Sequence, residues 1–184
     1  YQDGHIEFEV KLTGIIQTNL IAEGVQPPPY GGLVDDRIVG TNHQHIFNVR
    51  LDVEIDGSEN SVLEVDVVSE ASEDCEVGNG IVSASTLFRT ESQAQRVIDP
   101  FGNRSWKIVN PNKTNFLGEP VGYRLVPQAS QLLLAAEGSR IRDRAGFATK
   151  HLWVTPYSEA EFHAAGEYPN QRKGPDGLPV WTKA

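Results

Sequence analysis

Two histidines one residue apart, His43 and His45 in Thr41-Asn42-His43-Gln44-His45, are the residues best suited to do chemistry. In an extended chain, alternate side chains share a face, so both imidazoles point the same way and can grip one transition metal ion. The same parity carries Phe47, Val49, Leu51, Val53 and Ile55, which predicts that the histidines continue an apolar, core-facing stripe. Buried paired imidazoles are costly unless bonded or ligated, and ligation satisfies both. Copper(II) or zinc normally takes at least a third protein ligand. Spacing selects none of the remaining histidines: His5 reads as exposed, His151 as structural, and His163 lies in a polar stretch.

The opposite parity carries Asp52, Glu54 and Asp56. These carboxylates read either as the solvated face of an edge strand or as oxygen donors for a hard cation. Cys75 is the only cysteine, so neither an internal disulfide nor a thiolate metal cluster can form. It sits in Glu73-Asp74-Cys75-Glu76, where carboxylate neighbours disfavour a thiolate, and reads as a bystander. A hydrolytic zinc site would need a third ligand, and the sequence offers no strong candidate.

The elements that must position these residues are short strands. Ile6, Phe8, Val10 and Leu12 alternate with Glu7, Glu9, Lys11 and Thr13, the pattern of a half-buried strand. Residues 24–40, with Pro27-Pro28-Pro29 and Gly31-Gly32, read as loop. A strong strand is expected over 42–55, then a turn over 56–60 and a hairpin partner over 62–68. Further strands are expected over 81–90, 105–109, 121–126 and 152–155, with Asn110-Pro111-Asn112 ending the third-last of them. Short helical pieces are expected over 91–98, 139–144 and 159–165, and a surface loop from Tyr168 onward. Many short strands with little helix predict a mainly β fold, an antiparallel β-sandwich, as one segment over 1–184 with no internal boundary.

The 184 residues suffice for one domain of ordinary size. Lys and Arg number 16 and Asp and Glu 25, giving a net charge of −9. That balance argues against a nucleic-acid surface and suits attraction of cations, including ammonium groups. No run of 18 apolar residues marks a membrane-spanning helix.

Several segments together resemble the catalytic domain of the copper-containing, topaquinone-dependent primary-amine oxidases. They are Tyr1-Gln2-Asp3-Gly4 with Glu9-Val10-Lys11-Leu12-Thr13-Gly14; Asn42-His43-Gln44-His45-Ile46-Phe47 with Arg50-Leu51-Asp52; and Asn110-Pro111 with Glu119-Pro120-Val121-Gly122-Tyr123. Phe147-Ala148-Thr149-Lys150 with Leu152-Trp153-Val154-Thr155, and Tyr168-Pro169-Asn170-Gln171 near Gly177-Leu178-Pro179, complete the set. Order and spacing hold from end to end.

The resemblance implies a β-sandwich of the amine oxidase catalytic-domain type, incomplete at both ends. It implies that His43 and His45 are two of three histidine ligands to copper(II). It also implies oxidation of primary amines to aldehydes, with dioxygen as the acceptor and ammonia and hydrogen peroxide released. The quinone would come from a tyrosine in an Asn-Tyr-Asp/Glu-Tyr motif, which this sequence lacks and which would lie upstream of Tyr1. The catalytic aspartate would lie further upstream and the third copper histidine beyond Ala184. No catalytic or quinone-bearing residue is therefore expected within the chain, and the isolated segment is expected to be inactive. A second cation, calcium or manganese, would be held in part by Asp52, the carbonyl of Val53, and Glu54, where the family usually has Asp. Family members are homodimers. The rival reading is a non-catalytic β-sandwich binding module with a structural metal or none.

Overall fold

The computed structural model describes residues 1–70, 78–128 and 130–168. Cys75 and the tail beyond Tyr168 lie outside the described residues. Every ladder among the described residues is antiparallel and helix is confined to short pieces, as the mainly β reading expects. No described helix is long and apolar enough to cross a membrane. The backbone forms two compact units, Tyr1–His45 and Ile46–Ala184.

The first unit holds a three-stranded sheet of β1 (Thr18–Leu20), β2 (Gly31–Asp35) and β3 (Ile38–Thr41), in the order β1-β3-β2. The loop expected over 24–40 is thus half strand. Gly31 and Gly32 act there as packing residues and not as breakers. A Cβ on Gly31 would sit 2.7 Å from the Val39 side chain, and Val39 is 1% exposed. The absence of a side chain lets β2 close over the centre of the unit. Asp36 and Arg37 make the turn, with Arg37 at φ 54°, and the register slips between Leu33 and Asp35.

The strand expected near the amino terminus pairs with no other described strand. Ile6, Phe8, Val10 and Leu12 are each more than half exposed. The same holds for 42–54: Phe47 and Val49 are more than half exposed, and Leu51 nearly so. Alternation decides which face of an extended chain is apolar. A strand also requires a neighbour to take its N–H and C=O groups.

The second unit is built on a four-stranded sheet in the order β5-β4-β7-β8. Its strands are β4 (Ser61–Ser69), β5 (Ile81–Leu87), β7 (Ser105–Thr114) and β8 (Pro120–Leu125). A two-stranded ribbon pairs β6 (Gln95–Arg96) with β9 (Leu152–Trp153). The core holds Val65, Trp106 and Val109 from the sheet, with Ala94, Ala148 and Ala164. The strand expected over 62–68 appears one residue longer at each end, that over 121–126 is shifted by one residue, and those over 81–90 and 152–155 are cut short at Leu87 and Trp153. A helix, α1 (Arg140–Arg144), is capped by the Ser139 hydroxyl, which accepts from the Arg142 N–H. A 3-10 turn, Gly146–Thr149, follows it.

Four further expectations fail, each for a local reason. The partners of β4 are β5 and β7, not residues 42–55. The N–H of Ile55 donates to Asn60 Oδ1, and its C=O accepts from Asn60 and Asn110 Nδ2. With both backbone groups taken by side chains, the turn at Asp56 (φ 51°) and Gly57 (φ 130°) leads out of any ladder. Strand β7 runs through Asn110-Pro111-Asn112, because a register shift between Asn110 and Thr114 leaves Pro111 without a pairing obligation. Residues 91–98 form a turn and then β6, since Gln95 and Arg96 find ladder partners in Trp153 and Leu152. Residues 159–165 form isolated turns, with Glu161 N–H bonded to Ser158 O and Gly166 N–H to His163 O.

Gly122 is the tightest point of the β7–β8 pairing. An added Cβ would lie 2.3 Å from the Ile108 carbonyl oxygen and 2.9 Å from Val109 Cγ1. Backbone cannot yield there without breaking the ladder. Gly122→Ala is expected to cost about 3 kcal/mol, the upper end for overpacking. A fall in thermal midpoint checks it; an unchanged midpoint would refute the steric account.

Candidate metal centre

The two histidines meet at the end of the first unit, just after β3. His43 Nδ1 lies 3.0 Å from the Thr41 carbonyl oxygen. A carbonyl only accepts, so Nδ1 carries the proton and Nε2 keeps its lone pair. That lone pair faces His45, whose Nε2 is 2.9 Å away. The rings stand edge to face, with centroids 4.8 Å apart and planes at 69°. Both residues are exposed, which corrects the expected burial. The apolar parity of 47–51 is no more covered than the histidines are.

This donor set suits a metal. Nitrogens each about 2.0–2.1 Å from an ion and at right angles to one another are about 2.8–3.0 Å apart. A tetrahedral angle would require about 3.3–3.4 Å. The observed 2.9 Å is the length of a hydrogen bond between the two imidazoles, and it also lies close to the spacing of two nitrogens that share one ion. The bond from His43 Nδ1 to a backbone carbonyl is the usual support for a ligating imidazole, fixing its tautomer and ring plane. His45 has only to move its proton from Nε2 to Nδ1. Among the described residues no group of three His, Cys, Asp or Glu side chains converges on a metal position, so the pair stands as two donors.

The other histidines do other things. His151 Nε2 donates to the Ser130 carbonyl at 2.9 Å, and its Nδ1 accepts from the Ile98 N–H at 3.3 Å, a fully used structural imidazole. His5 stacks edge-on against Tyr1. His163 borders a shallow hollow with Phe147 and Phe162. Asp52 and Glu54 are exposed and Val53 is half-buried. Nearby, the Arg50 guanidinium lies over the rings of Tyr157 and Phe162, at 5.2 and 4.9 Å, and donates to the Ser158 carbonyl. This contact fixes the stretch bearing Asp52 to the 157–162 loop.

Sequence reasoning missed the charge network of the second unit. Glu64, 5% exposed, accepts two bonds from Arg96, an ion pair from Arg104, and the Trp106 indole N–H. Asp66 accepts two bonds at 2.8 Å from Arg104, which also donates to the Val97 carbonyl. The available signal was Glu64 and Asp66 on one parity of an otherwise apolar strand. Only the fold brings Arg96 and Arg104 to that face.

Arg104 holds the Asp66 carboxyl below its ordinary range, with burial partly opposing the effect. A pKa lower in the folded than in the unfolded state stabilises the fold above the unfolded value, about 3.9. That contribution is lost as pH falls through the folded value. The stability gap between the native sequence and Asp66→Asn is therefore expected to be flat above about pH 5 and to shrink below about pH 4. Urea midpoints across pH 3–7 check this; a gap that widens toward acid would refute it.

The family model described as "Copper amine oxidase, enzyme domain" matches residues 1–184. The chain belongs to the copper amine oxidase family. It is 42% identical over 184 residues to the primary amine oxidase of Arthrobacter sp. (strain P1), covering all of this chain and 28% of that protein. It is 41% identical over 183 residues to the histamine oxidase of Arthrobacter globiformis, covering 99% of this chain and 26% of that protein. The crystal structure of a copper-containing benzylamine oxidase from Hansenula polymorpha superposes with a TM-score of 0.82 at 37% identity. That match covers 93% of this chain and 27% of the benzylamine oxidase chain. The chain thus spans about a quarter of the length of the copper amine oxidases it matches. The metal in the family's name is one that imidazole nitrogens bind.

Proposed function

We propose that this chain supplies two copper ligands, His43 and His45, to an enzyme that oxidises primary amines. The observation that carries the reading is the 2.9 Å separation of the two Nε2 atoms, with His43 held through Nδ1. The balanced reaction is RCH2NH2 + O2 + H2O → RCHO + NH3 + H2O2. Two electrons and two protons leave the amine, and dioxygen receives both. Copper with topaquinone, the latter derived from a tyrosine outside these residues, supplies the redox chemistry.

The residues of this chain do the holding. The Thr41 carbonyl keeps the proton of His43 on Nδ1 and so keeps Nε2 free to bind. His45 relocates its proton and presents the second nitrogen. The Asp52 carboxylate, the Val53 carbonyl and the Glu54 carboxylate are proposed as part of a peripheral calcium or manganese site. Glu54 reaches one methylene further than the aspartate usual there. The working enzyme is proposed to be a homodimer without nucleic-acid or membrane partners. The names of the relatives point to small amines as a class and assign none to this chain.

The test is a coupled assay on the protein carrying this chain, supplied with copper and a panel of small primary amines. Ammonia and peroxide are expected in a one-to-one ratio. A copper-loaded protein that consumes no oxygen with any of the panel would favour a non-catalytic binding module.

A further inference from the structure

The imidazole of His43 is aimed by a carbonyl, and that carbonyl is aimed by the end of a ladder. Thr41, the last residue of β3, pairs with Gly31, the first residue of β2. The ladder bond beside this pair runs from the Asn42 N–H to the Tyr30 carbonyl oxygen, at 2.9 Å. Bonded and non-bonded pairs alternate in an antiparallel ladder, so Thr41, next to the bonded Asn42, turns its own C=O away from β2. That C=O accepts the Nδ1 proton of His43 at 3.0 Å. Consecutive peptide groups thus tie Asn42 to β2 and the His43 ring to β3.

This arrangement requires that residue 31 carry no side chain. A Cβ there would lie 2.7 Å from Val39 Cγ1, 3.0 Å from the Gly40 carbonyl oxygen and 3.6 Å from Thr41 Cα. All three atoms belong to β3, in the residues that lead to His43. Val39 is 1% exposed and stiff at its first torsion, and the Gly40 oxygen is backbone. Relief of the overlap must therefore come from a shift of β2. Of the two glycines in β2, only residue 31 is tight, since a Cβ on Gly32 would meet open space.

We propose that Gly31 is a positioning residue for the metal held by His43 and His45. A side chain here would lift β2 from the end of β3, break the Asn42–Tyr30 bond and let the Thr41 peptide turn. The Nδ1 proton of His43 would lose its fixed acceptor, and the ring would lose the orientation that keeps Nε2 beside His45. Losing such support behind a ligand costs about 10–100-fold in metal affinity. The inference rests on the reading of this histidine pair as copper ligands.

The test uses the full-length protein that carries this chain, with copper(II) added back to its metal-free form. Affinity is read by competition with a chelator, and ligand geometry by electron paramagnetic resonance. Gly31→Ala is expected to bind copper about 10-fold more weakly and to shift the spectrum. Gly32→Ala is expected to do neither. Gly122→Ala is expected to lower the thermal midpoint while both copper readouts stay native. Adding Val39→Ala to Gly31→Ala removes the 2.7 Å contact and is expected to return affinity and spectrum toward native.

Native affinity with an unshifted spectrum in Gly31→Ala would overturn the proposal. An equal loss of affinity in Gly122→Ala would also overturn it, because general instability would then account for both. If Gly31→Ala alone does not fold, Gly31→Ala with Val39→Ala is compared with Val39→Ala. The remaining contact with the Gly40 oxygen is expected to weaken copper binding, and equal affinities would overturn the proposal. Copper retained by His43→Ala with His45→Ala would instead overturn the ligand assignment itself. Copper lost from that double variant but held normally by Gly31→Ala would overturn the positioning role alone.

Discussion

Replacing His43 and His45 together by alanine is expected to abolish stoichiometric copper binding and, with it, peroxide production from amines. Losing the support behind a metal ligand typically costs 10–100-fold in affinity. Removing two ligands should therefore cost well over about 100-fold. The geometry predicts the fate of the fold as well. Both side chains are exposed, and their recorded bonds are to each other and to Thr41. Stability of the metal-free protein should thus change by no more than about 0.5 kcal/mol. Metal analysis of purified protein, paired with a urea melt of the metal-free form, separates the two effects. Retained copper in the double variant would refute the ligand assignment. Lost copper together with a collapsed fold would show that the pair is structural.

Glu64→Ala is expected to be the most damaging single substitution to the fold, at about 3–5 kcal/mol. The carboxylate is the shared acceptor for Arg96, Arg104 and the Trp106 indole, and its side chain is 6% exposed. Its removal takes one carboxylate away from two guanidinium groups. Arg104, with a side chain 17% exposed, keeps its ion pair with Asp66, whereas Arg96 has no second ion pair among the described residues. Because the Arg96 side chain is 34% exposed, water recovers part of its loss, and the lower end of the range is expected. The consequence is also topological. Arg96 lies on β6, so its bond to Glu64 on β4 ties the β6–β9 ribbon to the main sheet. Glu64→Gln should recover part of the loss by keeping the indole's acceptor. Urea unfolding compares the variants, and a cost below about 1 kcal/mol for Glu64→Ala would show that the network contributes little.

These effects fall on residues that differ in how legible they were. The histidine pair was visible in sequence because a metal needs two nitrogens on one side of the chain, and a spacing of two supplies that wherever the backbone is extended. Glu64 was not legible as a structural centre. Its partners Arg96, Arg104 and Trp106 are about 32 to 42 residues away along the chain, and no local spacing announces them. The Asn110-Pro111-Asn112 stop signal misled for a related reason. Proline ends a strand only where its missing N–H is needed, and a register shift on β7 removed the need.

The sequence alone determined the mainly β class, most strand positions in the second unit, the turn at 56–60, the parity of His43 and His45, and the family. All of these depend on local alternation, turn chemistry or motif order, which are properties of near neighbours in the chain. Tertiary structure alone decided that β4 pairs with β5 and β7, that Gly31 and Gly122 are packing residues, and that Glu64 and Asp66 gather two arginines. It also decided the exposure of the histidine pair, against the burial that parity predicted. The physical reason is common to these cases. Periodicity specifies which side of a segment is apolar, but burial, pairing and charge compensation depend on what another part of the chain brings to that side.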